Sequence, residues 1–287
     1  MQSIKTSKYI SSILPLQDSL CITSSGGIDI TDYNRIFMNY KVKDYISCTT
    51  TRESLIYYSV KNEFIGIDPK SPSKTLNLQV PYDVTVFTLS GNIIALGSSL
   101  KDQESHISFY DFRNLSQPIA VFNDVHSDDI TALTFINEKT LVSGSTDGLI
   151  NIFNLNSFDQ DTDLHTTIKY DSVHKIGYFS DYIWAISHME TLAIFNIDGD
   201  LIVDFGDVRS NTNLDRILGL DYENSRLYLN GSTSNNDWQW YHVGTVMENV
   251  VEFSKHEDYI TASLLVNNGN IFGITGDEEG KVVIHYY

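Results

Sequence analysis

A unit of about 40 residues recurs along this chain, and the recurrence limits the folds that it can adopt. Each copy has short runs rich in Val, Ile, Thr, Tyr and Phe, separated by turns of Gly, Asn, Asp and Ser. The clearest copy is HSDDITALTFINEKTLVSGSTDGLINIFNL, residues 126–155. Successive copies begin 36 to 46 residues apart. Their first runs start near Ile10, Ile46, Val84, Ile130, His174, Ile217 and Ile260.

These short runs predict strands, and their period predicts how the strands assemble. A repeat of 40 to 45 residues with three or four strands is typical of a β-propeller, because one small sheet cannot bury both faces alone. No stretch of helical length carries an apolar stripe at helical spacing. No apolar run is long enough to span a bilayer. We therefore expect a single all-β domain over residues 1–287, a seven-bladed β-propeller.

The two ends of the sequence predict how the last blade is completed. The final run, residues 281–287, supplies a third strand, and no later residues remain for a fourth. An open edge would leave a row of unpaired backbone groups. We expect residues 2–8 to pair with residues 281–287 and to close the last blade.

Polar residues at fixed positions of two copies resemble those of WD-repeat proteins. In that family a His, a Ser or Thr, an Asp and a Trp form a buried hydrogen-bonded set within a blade. The fourth copy has His126, Ser143, Asp147 and, at the Trp position, Phe153. The seventh copy has His256, Thr275, Glu279 and, at the Trp position, His285. A His, a Ser and an acid could also form a catalytic group, but their place in a repeat favours a structural set.

A more specific resemblance covers roughly residues 93–180. The segments HSDDITALTF, VSGSTDGLINIFNL, DQDTD and SVHKIGYF resemble the WD repeat-containing protein 89 family. This resemblance implies a seven-bladed propeller in the nucleus or nucleolus without known catalytic activity. The cytoplasm is the alternative location, since Cys21 and Cys48 are expected to be buried free thiols of a reducing compartment.

The net charge of −18 is distributed unevenly along the chain. Residues 1–80 contain nine Lys and Arg against seven Asp and Glu, and residues 81–287 contain ten against thirty. An acidic surface of this kind attracts basic protein segments. Direct binding to nucleic acid is disfavoured, because phosphate contacts come from Lys and Arg. The alternative is that the excess acid only confers solubility.

Propeller geometry predicts where a partner would bind. The loops that enter each first strand, and those that join the second to the third, lie on one face, the top face. The residue just before each first strand points to the mouth of the channel; these residues are Tyr9, Tyr45, Asp83, Asp129, Val173, Arg216 and Tyr259. Asp128, Glu257 and Asp258 lie beside them. Tyrosines next to carboxylates suit capture of Arg or Lys by cation–π contact and ion pairing. Alternatively, the tyrosines only cover apolar channel walls.

The sequence contains no signature of catalysis or of a cofactor. It lacks a Gly-rich phosphate loop, a His-x-x-x-His or Cys-x-x-Cys pair and a nucleophile elbow. We expect a non-enzymatic interaction module without metal, cofactor or membrane contact, a monomeric ring within a complex. Its partner would be a basic protein or peptide, such as a ribosomal protein, a ribosome assembly factor or a histone. The alternative function is a structural scaffold that contacts partners through its blade edges.

Overall fold

The computed structural model describes residues 2–6, 9–17, 19–52, 54–223, 225–244, 247–253, 256–268 and 271–286. Within these residues the strands form seven four-stranded sheets. This is the fold of a seven-bladed β-propeller, as the sequence predicts. The sheets are called blades 1 to 7 in chain order. The chain divides into two compact units: the first contains Met1–Val60, Ile65–Asn77 and Arg209–Tyr287, and the second contains Lys61–Phe64 and Leu78–Val208.

Blades 1, 2, 6 and 7 belong wholly or mainly to the first unit. Strand β1 is Gln2–Lys5. Blade 1 contains β2 (Ile10–Leu16), β3 (Ser19–Ser24), β4 (Gly27–Thr31) and β5 (Ile36–Lys41). Blade 2 contains β6 (Cys48–Arg52), β7 (Leu55–Val60), β8 (Glu63–Asp68) and β9 (Ser71–Gln79).

Blades 3, 4 and 5 belong to the second unit. Blade 3 contains β10 (Val84–Ser90), β11 (Ile93–Ser98), β12 (His106–Asp111) and β13 (Ala120–Asn123). Blade 4 contains β14 (Ile130–Phe135), β15 (Thr140–Ser145), β16 (Leu149–Asn154) and β17 (Leu164–Lys169), with the short helix α1 (Gln160–Asp163) before β17. Blade 5 contains β18 (Val173–Phe179), β19 (Tyr182–Ser187), β20 (Thr191–Asn196) and β21 (Leu201–Asp207).

The remaining strands complete the first unit after a 3₁₀ turn at Val208–Ser210. Blade 6 contains β22 (Arg216–Glu223), β23 (Arg226–Ser232), β24 (Trp238–Val243) and β25 (Met247–Phe253). Blade 7 contains β26 (Ile260–Asn268), β27 (Ile271–Asp277), β28 (Lys281–Tyr286) and, as its outer strand, β1. The first strands of blades 2, 5 and 6 begin one or two residues away from the starts expected from the sequence. The extent of one domain over residues 1–287 stays a prediction.

The fourth strand of blade 7 comes from the N-terminal segment, as the sequence predicts. Strand β1 pairs antiparallel with β28, with Gln2 opposite Ile284 and Lys5 opposite Lys281. Ile4 is buried in the apolar cluster that blade 7 shares with blade 1. Residues 7, 8 and 287, which the predicted pairing included, lie outside the described residues.

Each unit is held together by apolar side chains between adjacent blades. In the first unit, β4 packs on β7 through Ile28, Ile30, Ile56 and Tyr58. Cys21 is a buried thiol, and burial raises its pKa to about 12, whereas Cys48 is half-buried rather than buried. In the second unit, blade 4 packs on blade 3 and on blade 5.

A β-bulge near the start of the first strands adds a polar link between blades. In β14 the register shifts between Ile130 and Ala132, and the intervening Thr131 donates its hydroxyl to the Val173 carbonyl of blade 5 at 2.6 Å. The same link joins Thr85 to Ile130 in the second unit and Thr261 to Ile10 in the first. A bulge redirects one side chain without breaking the sheet. Each of these three hydroxyl groups therefore satisfies a carbonyl of the adjacent blade.

Candidate functional site

Three exposed tyrosines lie together on the first unit. Tyr259 precedes β26 and is 51% exposed, Tyr9 precedes β2 and is 39% exposed, and Tyr45 lies in the loop before β6 and is 60% exposed. The Glu278 amide donates to the Tyr259 carbonyl at 3.1 Å, and the Tyr9 amide donates to the Glu278 carbonyl at 2.6 Å. The pKa of Tyr45 is raised, mainly by partial burial of its phenol group and to a smaller extent by the nearby Tyr9. The fold therefore places the three aromatic side chains along one edge of blades 7, 1 and 2.

Carboxylates lie beside Tyr259 on the loops of blade 7. Glu257 has 97% of its side chain exposed, with Oε1 at 3.9 Å from Lys281 Nζ. Asp258 is half-buried, and its Oδ1 accepts a hydrogen bond from the Tyr259 amide at 2.9 Å. We call Tyr9, Tyr45, Tyr259, Glu257, Asp258 and Glu278 the tyrosine surface.

Tyr9 adopts a backbone conformation that is rare for a residue with a side chain. Its φ is 52°, in the left-handed region where most non-glycine residues are strained. Two hydrogen bonds hold it there: its amide donates to Glu278, and its carbonyl accepts from the Ser25 amide at 3.1 Å. Such conformations persist only where surrounding contacts fix them, and they are common at binding sites.

The other residues expected at the site fall into different surroundings. Arg216 is the exposed first residue of β22 in the first unit. Asp83 is exposed in the second unit, while Val173 is fully buried there, so its side chain does not line an open rim. Asp129 is half-buried, and its Oδ1 accepts from the Leu100 amide at 2.7 Å. Its neighbour Asp128 accepts from the Asp129 amide at 2.8 Å. The Asp128 and Asp129 side chains therefore hold loops of blades 3 and 4 in place.

The polar set of blade 4 is buried and hydrogen-bonded. His126 Nδ1 lies 3.1 Å from Asp147 Oδ2, and His126 Nε2 lies 2.8 Å from Ser143 Oγ. Burial alone would raise the pKa of Asp147, but hydrogen bonds from His126 and from two backbone amides lower it. Phe153 is fully buried and packs against Phe122 with ring centroids 5.4 Å apart. Asn151, which the sequence did not single out, donates to the Val125 carbonyl at 2.7 Å and lies 3.5 Å from His126 Nε2.

Blade 7 has a similar set with a different acid. His256 Nδ1 lies 2.7 Å from Asp277 Oδ2, and His256 Nε2 lies 2.6 Å from Thr275 Oγ1. The expectation that Glu279 supplies the carboxylate is wrong, because Glu279 is exposed whereas Asp277 is buried. His285 Nε2 contacts Thr275 Oγ1 at 2.7 Å from the other side. Burial and the nearby charge of His256 lower the pKa of His285 to about 4.

Comparison with known proteins gives relatives for the chain and a fold match for its structure. No protein-family model matches the chain. An uncharacterized WD repeat-containing protein of Saccharomyces cerevisiae is 35% identical over 138 residues, 45% of this chain and 36% of that protein. The WD repeat-containing protein 89 homolog of Dictyostelium discoideum is 31% identical over 168 residues, 56% of this chain and 45% of that protein. The alignments therefore span less than half of each relative.

One solved structure covers the chain from end to end. A chain in the crystal structure of the Mitotic Checkpoint Complex superposes with a TM-score of 0.76 at 12% identity, covering 100% of this chain and 91% of that chain. The chain is therefore a seven-bladed β-propeller, and it is similar to WD repeat-containing proteins. Propellers of this type generally mediate protein interactions and are generally not enzymes.

The buried histidine sets of this propeller are unsuited to catalysis. Ser143, His126 and Asp147 have the connectivity of a catalytic triad, but Ser143 is fully buried and His126 is 3% exposed, so no substrate reaches them. Within the described part of the chain, no three His, Cys, Asp or Glu residues converge to hold a metal ion. A helix long and apolar enough to cross a bilayer is likewise absent from the described ranges.

Proposed function

We propose that this propeller is a non-enzymatic protein-interaction module and that its tyrosine surface binds a basic segment of a partner protein. The observation that carries the proposal is the fixed, exposed position of Tyr9 between Tyr259 and Tyr45. Exposed aromatic rings beside carboxylates contact Arg or Lys through the ring face and through ion pairs at once. Because hydrogen bonds already fix the backbone of Tyr9, binding requires little ordering of that backbone.

The charge of the protein supports a basic partner. The net charge of −18 raises the association rate of a cationic segment, and this effect weakens as salt screens the field. Contacts with the tyrosines are short-ranged and determine dissociation instead. A phosphate backbone would be repelled, so any nucleic acid in the complex would be held by the partner.

Candidate partners follow from this chemistry and from the resemblance of the sequence. Ribosomal proteins, ribosome assembly factors and histones carry exposed Lys- and Arg-rich segments. A nuclear or nucleolar location is part of the proposal and rests on the resemblance alone. The second candidate function is that of a scaffold subunit that contacts partners through its blade edges; an exposed apolar outer strand in blade 5 favours it.

The proposal is tested by affinity purification of the tagged protein at low and high salt with mass spectrometry. Wild type is compared with Tyr45→Ala/Tyr259→Ala and with Tyr222→Ala, a control tyrosine that is 46% exposed on β22 of the same unit. We expect basic proteins to elute from wild type and the control as salt rises, and a subset of them to be missing with the double variant. If the double variant retained every basic partner of wild type at the same salt, the proposal would be contradicted.

A further inference from the structure

The outer strand of blade 5 exposes consecutive apolar side chains. Leu201, Ile202 and Val203 are 56%, 48% and 38% exposed, and Ile197 in the preceding turn is 43% exposed. We call these four residues the apolar edge. Strand β21 is the outermost strand of its sheet. Contiguous exposed apolar residues on a soluble protein mark an interaction site.

The other outer strands expose fewer large apolar side chains than β21 does. Among the described residues of β1, β5, β9, β13, β17 and β25, no strand exposes more than one large apolar side chain. Edge strands are commonly kept polar, because an apolar edge recruits other chains. The composition of β21 is therefore an exception within this molecule.

Negative charge surrounds the apolar edge. Residues 176–208 contain six Asp and Glu and no Lys or Arg. Asp198 and Asp200 lie in the turn before β21, and Asp204 follows Val203 directly. A partner that covers the apolar side chains must therefore place positive charge beside these three carboxylates. The same charges disfavour a second copy of this chain, whose own edge would be equally acidic.

The turn that carries two of these carboxylates is rigid. Asn196 Oδ1 accepts from the Asp198 amide at 3.1 Å and from the Asp200 amide at 2.8 Å, and Asn196 Nδ2 donates to Asp200 Oδ2 at 3.0 Å. Gly199 has a φ of 93°, and a Cβ there would lie 3.0 Å from the Thr166 side chain. Only glycine fits this position without strain. The backbone of the turn and the Asp200 carboxylate are therefore fixed before any partner arrives, and Asp198 Oδ1 lies 3.4 Å from His165 Nε2.

The pairing of β21 indicates which part of a partner makes the contact. Val203 lies opposite Ile194 and Leu201 opposite Phe195, so Ile202 has no partner on β20 and forms a bulge. A bulge interrupts the regular ladder that an added strand would extend. A partner should therefore bind β21 mainly through side-chain contacts and not by pairing a strand with its backbone.

We propose that the apolar edge of blade 5 is a second docking surface, for a partner segment with aliphatic side chains flanked by Lys or Arg. The aliphatic side chains cover Leu201, Ile202 and Val203, while the cations pair with Asp198, Asp200 and Asp204. This inference does not depend on the tyrosine surface, which belongs to the other unit. A propeller with both surfaces holds two partners at once.

The test uses a fluorescent peptide of alternating Leu and Lys, with Leu–Glu and Ser–Lys peptides as matched probes. Each peptide is titrated into the full chain carrying Tyr45→Ala/Tyr259→Ala, so that the tyrosine surface does not contribute to binding. We expect the Leu–Lys peptide to bind and the other two to bind at least about tenfold more weakly. Leu201→Ser/Ile202→Ser should weaken Leu–Lys binding on the order of tenfold. The control Val250→Ser, which removes a 52% exposed side chain from the outer strand β25, should leave binding unchanged.

Two further measurements separate docking at the apolar edge from binding at the tyrosine surface and from dimerisation. On the same Tyr45→Ala/Tyr259→Ala background, Asp198→Asn/Asp204→Asn, which keeps oxygen acceptors, should flatten the salt dependence of Leu–Lys binding. Equal binding of the Leu–Glu peptide, or equal binding by the Leu201/Ile202 double variant with an unchanged unfolding midpoint, would overturn the proposal. So would sedimentation showing a dimer that the double variant abolishes, because the occupant would then be a second copy.

Discussion

Blades 4 and 7 carry similar buried histidine sets on differently assembled sheets. Blade 4 is continuous in the chain and places Asp147 in the turn after β15. Blade 7 takes its outer strand from the N-terminal segment and places Asp277 at the end of β27. In both blades a histidine bridges a carboxylate and a hydroxyl. The hydrogen-bonded geometry is therefore the same in both blades, although the acid lies in the turn after the second strand of blade 4 and at the end of the second strand of blade 7.

Deletion of residues 2–5 should have the largest effect and should act on blade 7. The deletion exposes the edge of β28 and removes the buried side chain of Ile4. We expect a loss of roughly 3 to 5 kcal/mol in the free energy of unfolding. Urea unfolding followed by circular dichroism measures this loss; an unchanged midpoint would contradict the role of β1 as the closing strand.

Removing the aspartate from the buried histidine set should destabilise blade 4 and blade 7 to a similar extent. Asp147→Ala or Asp277→Ala leaves a buried histidine nitrogen without its partner, and we expect a cost of about 2 to 3 kcal/mol for each. Glu279→Ala is the matched control, because Glu279 is exposed, and its effect should stay within about 0.5 kcal/mol. Thermal unfolding of the three variants measures the difference. A larger effect of Glu279→Ala than of Asp277→Ala would reverse our assignment.

Acidic pH should distinguish blade 7 from blade 4. In blade 7 the pKa values of His256 and His285 are lowered by burial, that of His285 from 6.5 to about 4. The unfolded chain therefore binds more protons than the folded chain in this range, and stability falls as pH is lowered from 6.5 towards 4. The lowered pKa of Asp147 acts only below its unfolded value of about 3.9.

This pH dependence is checked with His285→Phe, which keeps a ring against Trp238 and Phe253 but does not titrate. The slope of unfolding free energy against pH between 6.5 and 4 should be shallower than in wild type. An identical slope would show that His285 does not contribute.

The interblade threonines should give the smallest effects. Thr131→Val removes the hydrogen bond to the Val173 carbonyl in the second unit, and Thr261→Val removes the one to the Ile10 carbonyl in the first. We expect each change to cost about 1 kcal/mol. Equal stability of both valine variants and wild type in chemical unfolding would mean that the bulge, rather than the hydroxyl group, determines the packing.

The repeat period predicts the seven blades because each blade repeats the same strand pattern. The resemblance to WD-repeat proteins, rather than the repeat period, predicted the positions of His126, Ser143 and Asp147. For blade 7 the resemblance predicted Glu279, and this prediction is wrong because Asp277, two residues earlier, reaches His256 instead. The recurrence of Thr at the second position of three first strands, in VTVFTL, ITALTF and ITASLL, was available as a signal for the interblade bonds. No local sequence pattern predicts the left-handed φ of Tyr9, because tertiary hydrogen bonds impose it.

We propose that the tyrosine surface binds the partner, whereas the buried histidine sets stabilise the fold. The most direct measurement titrates a fluorescent Arg–Gly peptide, which lacks aliphatic side chains, into wild type, Tyr45→Ala/Tyr259→Ala and Asp277→Ala below their unfolding temperatures. We predict that the tyrosine variant binds about tenfold more weakly with an unchanged unfolding midpoint. Asp277→Ala should bind normally with a lowered midpoint. Equal affinity of wild type and the tyrosine variant would contradict the account.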